Sequence, residues 1–212
     1  MSKSATTIQD HEKSLTIVLP AGRLPLPVMA KARELAERYG LGVYLSTAQN
    51  LRLLGVNEED MESIKAELAP LGARFKGPGK FPLPKVCIGK PSCNMGIVDP
   101  AVLSGRILER FGERTNVKPK FKIAISGCTL SCSGALLADI GVVTTRNGYD
   151  LYVGGKGGPY PKVGRRVLRD VGEEEVLDGI GRLVDFHDAK TAKKQRLIKL
   201  IDEPEFPFPV EK

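Results

Sequence analysis

The chain has 212 residues, a net charge of +7, 42% hydrophobic and 27% charged residues. These are the proportions of a globular protein with room for one large domain or two small ones. No apolar run reaches the roughly eighteen residues a membrane helix needs. The polar opening "MSKSATTIQDHEKS" lacks the apolar stretch of a secretory leader. A cytoplasmic location is therefore expected, where thiols stay reduced. Aromatics are 6% with no tryptophan, and none are interleaved with the basic residues as a stacking platform, which weakens a single-stranded nucleic acid reading. The positive charge suits an anionic ligand or partner instead.

In chain order, "SLTIVLP" (14–20) reads as a buried strand rich in β-branched residues. "LPVMAKARELAERYG" (26–40) opens with Pro27 and sets Val28, Leu35, Ala36 and Tyr39 on one helical face, with Gly40 as C-cap. "VYLST" and "LRLLGV" are short strands on either side of Gln49 and Asn50. Asn57 is placed to cap a helix whose first turn holds Glu58, Glu59 and Asp60. Met61, Ile64, Leu68 and Leu71 form its buried face, and Gly72 ends it. The order β-α-β-β-α over 14–75 predicts an α+β half-domain. "KGPGKFPLPK" (76–85), with two glycines and three prolines, marks the boundary.

A second domain is expected over 80–202. It holds a helix from about Pro100 to Phe111 and a strand "FKIAISG" at 121–127. A hairpin "IGVVTT…DLYVGG" is expected to turn on the type I′ pair Asn147-Gly148. "GGKGGPYPKVGRR" (154–166) reads as a basic glycine-rich loop, followed by two helices near 173–186 and 189–201 and an extended tail, 203–212.

All four cysteines lie in two short loops of glycine, serine and proline. "VCIGKPSCNMG" holds Cys87 and Cys93; "SGCTLSCSGA" holds Cys128 and Cys132. Three readings compete. Buried inert thiols do not explain the clustering. Structural zinc favours short pairs, which fits C-x3-C but not C-x5-C. A [4Fe–4S] cube takes four thiolates on wider loops.

The wider pattern carries a resemblance. C-x5-C, then C-x3-C, with "FKIAISGC" before and "ADIGVV" after, resembles the sirohaem nitrite and sulfite reductases. "LPKVCIGKPSCNMGIVD" is similar to the first half of their cluster motif, and "DLYVGGKGG" to the glycine loop that follows it. "GRLPLPVMAKARELAERYGLGVYLSTAQNLRLLGV" is similar to their ferredoxin-like half-domain. Family enzymes usually carry two copies of this pair of modules. The single copy here resembles the low-molecular-weight, assimilatory-type sulfite reductases.

The resemblance implies a ferredoxin-like βαββα half-domain followed by a mixed α/β module binding a [4Fe–4S] cluster and sirohaem. It implies that Cys87, Cys93, Cys128 and Cys132 bind the cluster, with Cys132 bridging to the sirohaem iron. Lys120 and Lys122, two apart on a strand and so on one face, would bind the substrate anion and assist protonation. Gln49, Asn50, Arg52, Lys85, Lys90, Arg165 and Arg166 are candidates for the sirohaem carboxylates, and Gly154 and Gly155 for close approach to the macrocycle. The expected partners are a small oxyanion, sulfite or nitrite, and a separate low-potential electron-donor protein, since no flavin or nicotinamide fingerprint is present. Neither nucleic acid nor membrane is expected. The competing class is a cluster-only electron carrier; a basic zinc module for nucleic acid is the third. Departures from the family pattern are Ala48 where an arginine is usual, Leu130 where a small polar residue is common, and no arginine in "LTIVLP", for which Arg23 is a substitute.

Overall fold

The computed structural model describes residues 13–115, 117, 121–190 and 196–209. The chain forms two compact units, residues 1–77 and 78–212.

The first unit is a four-stranded antiparallel sheet with two helices on one face. Its elements are β1 (Lys13–Val18), α1 (Leu26–Tyr39), β2 (Gly42–Leu45), β3 (Asn50–Val56), α2 (Met61–Leu68) and β4 (Arg74–Phe75). The spatial order is β2-β3-β1-β4. Strand alternation sends Leu15, Ile17, Leu51 and Leu53 to the helix side, where they meet Val28, Ala32, Leu35, Ile64 and Leu68. Gly40 adopts the left-handed conformation and closes α1, as expected.

Two details differ from expectation. Asn57 does not cap α2; it opens a preceding turn, where its side-chain amide donates to Asp60 Oδ2 at 3.1 Å. The helix then starts at Met61, and Glu58 is left to pair with Lys13 at 2.5 Å. The added strand β4 pairs with β1, placing Arg74 opposite Val18.

The second unit is a five-stranded mixed sheet. Its elements are β5 (Lys85–Val86), α3 (Pro100–Phe111), β6 (Ile123–Ser126), β7 (Ile140–Thr144), β8 (Tyr149–Val153), β9 (Arg165–Val171) and α4 (Glu173–Lys190). Strand order follows the sequence, β5 to β9. Neighbours β5, β6 and β7 run parallel; β7, β8 and β9 form an antiparallel meander. Pro100 occupies the first turn of α3 and the Asp99 carboxylate accepts from Ala101 N–H at 2.9 Å, a pairing that starts the helix where the sequence places it. On the other face, Ala124 and Val143 pack on Ala135 and Ala138.

Here too the expectations need correction. The basic loop ends in a full strand, β9, and α4 is one continuous helix rather than a first helix ending near 186. A short 3-10 turn, Leu197–Lys199, stands within the stretch expected to be a second helix. The hairpin does not use a type I′ turn, because Asn147 keeps an ordinary negative φ. The Thr145 hydroxyl accepts from Asn147 N–H at 3.2 Å and donates to Asp170 Oδ1 at 2.5 Å, so a threonine-centred turn wins. The tail folds back on α4: Phe206 meets Phe186 edge-on at 5.4 Å and Arg182 lies over the buried Phe208 ring at 4.3 Å.

Candidate functional site

Parallel strands that leave a sheet side by side bring their carboxyl-end loops together, the usual place for a ligand in such folds. Here those loops carry the thiols. Cys87 directly follows β5, and Cys128 follows β6 by two residues. Backbone hydrogen bonds join the two loops. Ile97 N–H donates to Gly127 O at 2.8 Å, and Gly127 N–H points at Cys87 Sγ at 3.2 Å. Within the first loop, Cys93 N–H donates to Gly89 O at 2.8 Å and Lys90 N–H to Val98 O at 3.0 Å.

Glycine makes this closeness possible. A Cβ on Gly127 would stand 2.8 Å from Val98 O, and one on Gly96 2.8 Å from Lys90 N. Cys128 is buried, Cys87 and Cys93 are half-buried, and Cys132 is exposed. Among the described residues, no three His, Cys, Asp or Glu side chains converge as ligands of one metal ion.

Lys122, Gly154, Gly155, Arg165 and Arg166 lie at the opposite end of the sheet. Lys122 precedes β6, so the strand's four residues, about 13 Å, separate it from the thiol end. Lys120 lies outside the described residues. Asp139, fully buried, holds this end together. Its Oδ2 accepts Lys122 N–H at 3.0 Å, and its Oδ1 accepts Arg196 Nε at 2.8 Å and Leu197 N–H at 2.9 Å. Burial pushes the Asp139 carboxyl above its ordinary pKa, against the downward pull of Arg196 and the two N–H donors.

Gly154 N–H donates to the Asp139 carbonyl at 2.9 Å, and Arg196 also holds Gly155 O at 2.9 Å. A Cβ on Gly155 would stand 2.5 Å from the carbonyls of Leu136 and Ala138. The close approach at that glycine is thus to the protein's own backbone. Arg165 pairs with Asp202 at 3.0 Å and Arg166 with Asp150 at 3.1 Å.

In the first unit, the sheet face opposite the helices collects cationic and amide groups. Arg52 is in register with Thr16 and Tyr44, and Asn50 with Val18. Arg52 donates to Ser14 Oγ at 2.5 Å. Gln49 sits in the hairpin loop with positive φ, its side chain against Gly22. Val18 also pairs with Arg74, so Arg74 joins Asn50 and Arg52 on this face. Sequence reading missed Arg74 because the two-residue strand that carries it has no periodicity. Asp139 was missed too, although an aspartate inside the apolar run "ADIGVV" is itself a signal of a buried, bonded carboxylate. Lys85 lies on β5, half-buried, and Lys90 is exposed in the first thiol loop.

A half-domain of βαββα order followed by a mixed sheet bearing four loop thiols is the architecture of an iron–sulfur oxidoreductase module. The chain belongs to the nitrite and sulphite reductase 4Fe-4S domain family, matched over residues 83–205, with the ferredoxin-like half-domain of the same enzymes matched over 8–71. The cofactors of this family are a [4Fe–4S] cluster and sirohaem. A sulfite reductase of assimilatory type from Nitratidesulfovibrio vulgaris is 25% identical over 87% of this chain and 84% of its own length. The large subunit of a nitrite reductase from Klebsiella oxytoca is 30% identical over 93% of this chain but 21% of its own. The NirA protein of Mycobacterium tuberculosis shares the fold, with a TM-score of 0.68, 21% identity and coverage of 89% of this chain and 37% of its own. The chain spans only 17% to 21% of the first nitrite reductases it matches. Among the described residues, no helix is long and apolar enough to cross a membrane.

Proposed function

We propose that this chain is a sirohaem–[4Fe–4S] reductase module that reduces sulfite or nitrite with electrons from a separate low-potential donor protein. The observation that carries the reading is the junction of the two thiol loops at the carboxyl ends of β5 and β6, fixed by the Ile97–Gly127 and Gly127–Cys87 contacts. Cys87, Cys93, Cys128 and Cys132 hold the cluster. Cys132, the exposed thiol of the four, would also hold the sirohaem. When bound, the two cofactors supply the multi-electron chemistry.

The chain's own residues bind, orient and protonate. Gln49, Asn50, Arg52, Lys85 and Lys90 offer donors to the carboxylates of the tetrapyrrole. Lys120 and Lys122 bind the substrate anion and deliver protons. The donor protein, an acidic carrier by charge, is matched by the +7 of this chain.

Two measurements test this. Protein purified without oxygen should contain iron and show the Soret and long-wavelength bands of a tetrapyrrole. Iron without those bands would leave a cluster-only carrier; a folded, colourless protein that refuses both cofactors on reconstitution would sink the reading. Cys132→Ser should damage both centres, and a normal tetrapyrrole spectrum in that variant would remove its role in holding the sirohaem. Lys122→Ala should raise the KM for the anion with both cofactors retained. Loss of tetrapyrrole instead would reassign Lys122 to the cofactor's carboxylates.

A further inference from the structure

The second thiol loop contains a pair of hydroxyls that the reading above does not use. Ser126 ends β6 and is 0% exposed; Ser133 follows Cys132 and is 3% exposed. Their oxygens are 2.6 Å apart, a short hydroxyl–hydroxyl bond. Two hydroxyls carry two protons, and their mutual bond uses one. Among the described residues no atom accepts the other. The neighbouring Ser131 hydroxyl is occupied elsewhere, accepting Leu136 N–H at 3.3 Å. A buried O–H with no acceptor costs about 1–3 kcal/mol, and native interiors rarely leave one.

In sequence the pair brackets the two thiols of the second loop. Ser126 stands two residues before Cys128, and Ser133 is bonded to Cys132. Ser126 is the more deeply enclosed of the two, and Ser133 adjoins the exposed Cys132. We propose that Ser126 donates to Ser133, and that Ser133 donates its own proton to a sulfur of the thiolate-bound cluster, raising the cluster's reduction potential. The inference rests on the cluster assignment above. Its physics is general. An O–H dipole aimed at a cluster sulfur stabilises the extra negative charge of the reduced state, and hydrogen bonds to cluster sulfurs are among the protein's main controls over potential. The bond from Ser126 polarises the Ser133 hydroxyl and makes it a stronger donor.

The test is a potentiometric titration of the cofactor-loaded protein, followed by electron paramagnetic resonance of the reduced cluster. Ser133→Ala should lower the cluster potential. Ser126→Ala should lower it less, because Ser133 still donates. The double variant should match Ser133→Ala, since Ser126 acts through its neighbour. Besides the coupling of Gly127 N–H, a second exchangeable-proton coupling to the reduced cluster, lost in deuterated water, should be present in the wild type and absent in Ser133→Ala.

An unchanged potential in a Ser133→Ala protein that keeps its iron overturns the proposal, as does survival of that second coupling in the variant. If Ser133→Ala cannot hold the cluster, the wild-type protein decides: absence of the second coupling there refutes the assignment, and its presence with retention in Ser133→Thr upholds it. A wild-type chain that binds no iron overturns the cluster reading itself, a result distinct from any of these.

Discussion

Substituting Gly89 with alanine tests whether the first thiol loop is closed against its own exit into α3 as the geometry implies. Gly89 has φ +57°, the left-handed region, where a Cβ costs about 1–2 kcal/mol. That Cβ would also stand 2.2 Å from Pro100 Cδ and 2.6 Å from Val98 O. Neither neighbour yields easily, because Pro100 opens α3 and Val98 O is bonded to Lys90 N–H at 3.0 Å. Relieving such overlap adds about 1–3 kcal/mol. The sum, about 2–5 kcal/mol, corresponds to a melting point lower by roughly 10 °C for a chain of this size.

The displaced backbone also carries Cys93, whose N–H rests on Gly89 O at 2.8 Å, so iron per chain should fall as well. Gly105→Ala is the matched control. It lies in the exposed middle of α3 with nothing near its Cβ, and alanine there should stabilise by about 0.5–1 kcal/mol. Far-ultraviolet circular dichroism melts and iron analysis of both variants decide the matter. A Gly89→Ala protein that melts with the wild type and carries full iron would refute the argument.

Three further outcomes are expected. Asp139→Ala strips the counter-charge from Arg196, whose side chain is 18% exposed, and should cost about 3–5 kcal/mol by urea denaturation; adding Arg196→Met should recover part of it. Phe208→Ala removes a buried ring and its contact with Arg182 and should cost about 3 kcal/mol; a loss too small to measure would show that the tail is not part of the fold. The raised pKa of Asp139 has a pH signature. The unfolded chain releases this proton first as pH rises, so the group's contribution is full below the ordinary aspartate value and is lost as pH rises through the raised one. The stability difference between wild type and Asp139→Asn should decline across that window; a rise would show that Arg196 outweighs burial.

What the sequence made legible was whatever local chemistry decides. Pro27 and Gly40 bracket α1, and Asp99-Pro100 starts α3, because caps act within a turn. The four cysteines stood out by type and grouping alone. What stayed illegible depends on partners far along the chain. β4 and β5 have two residues each and exist only through β1 and β6. β9, "RRVLRDV", is half-exposed and edge-paired, so it lacks the apolar run of a buried strand. The Asn147-Gly148 signal was sound by propensity and lost to the Thr145 hydroxyl, which reaches across to Asp170. Arg74 reached the face of Asn50 and Arg52 through the register of β1, which no local pattern encodes.

The direction of β6 sorts the chemistry of the second unit. Its carboxyl end delivers Gly127 and Cys128 to the thiol loops, and its amino end carries Lys122, tied down by Asp139. A strand of four residues separates the two by about 13 Å, too far for one small oxyanion to touch a thiolate-bound group and the Lys122 backbone position at once. Under the proposed role, Lys122 would serve the anion only by extending its exposed side chain toward it, and the rigidity of its main chain would matter for that reach. Asp139 supplies the rigidity, since the carboxylate that fixes Lys122 N–H also fixes Arg196 and Leu197. If that coupling is real, Asp139→Ala should loosen Lys122 N–H in hydrogen exchange far more than the Cys128–Cys132 loop, which is anchored separately at Gly127 and Ser126. Equal loosening at both ends would show the sheet transmitting the damage as one body.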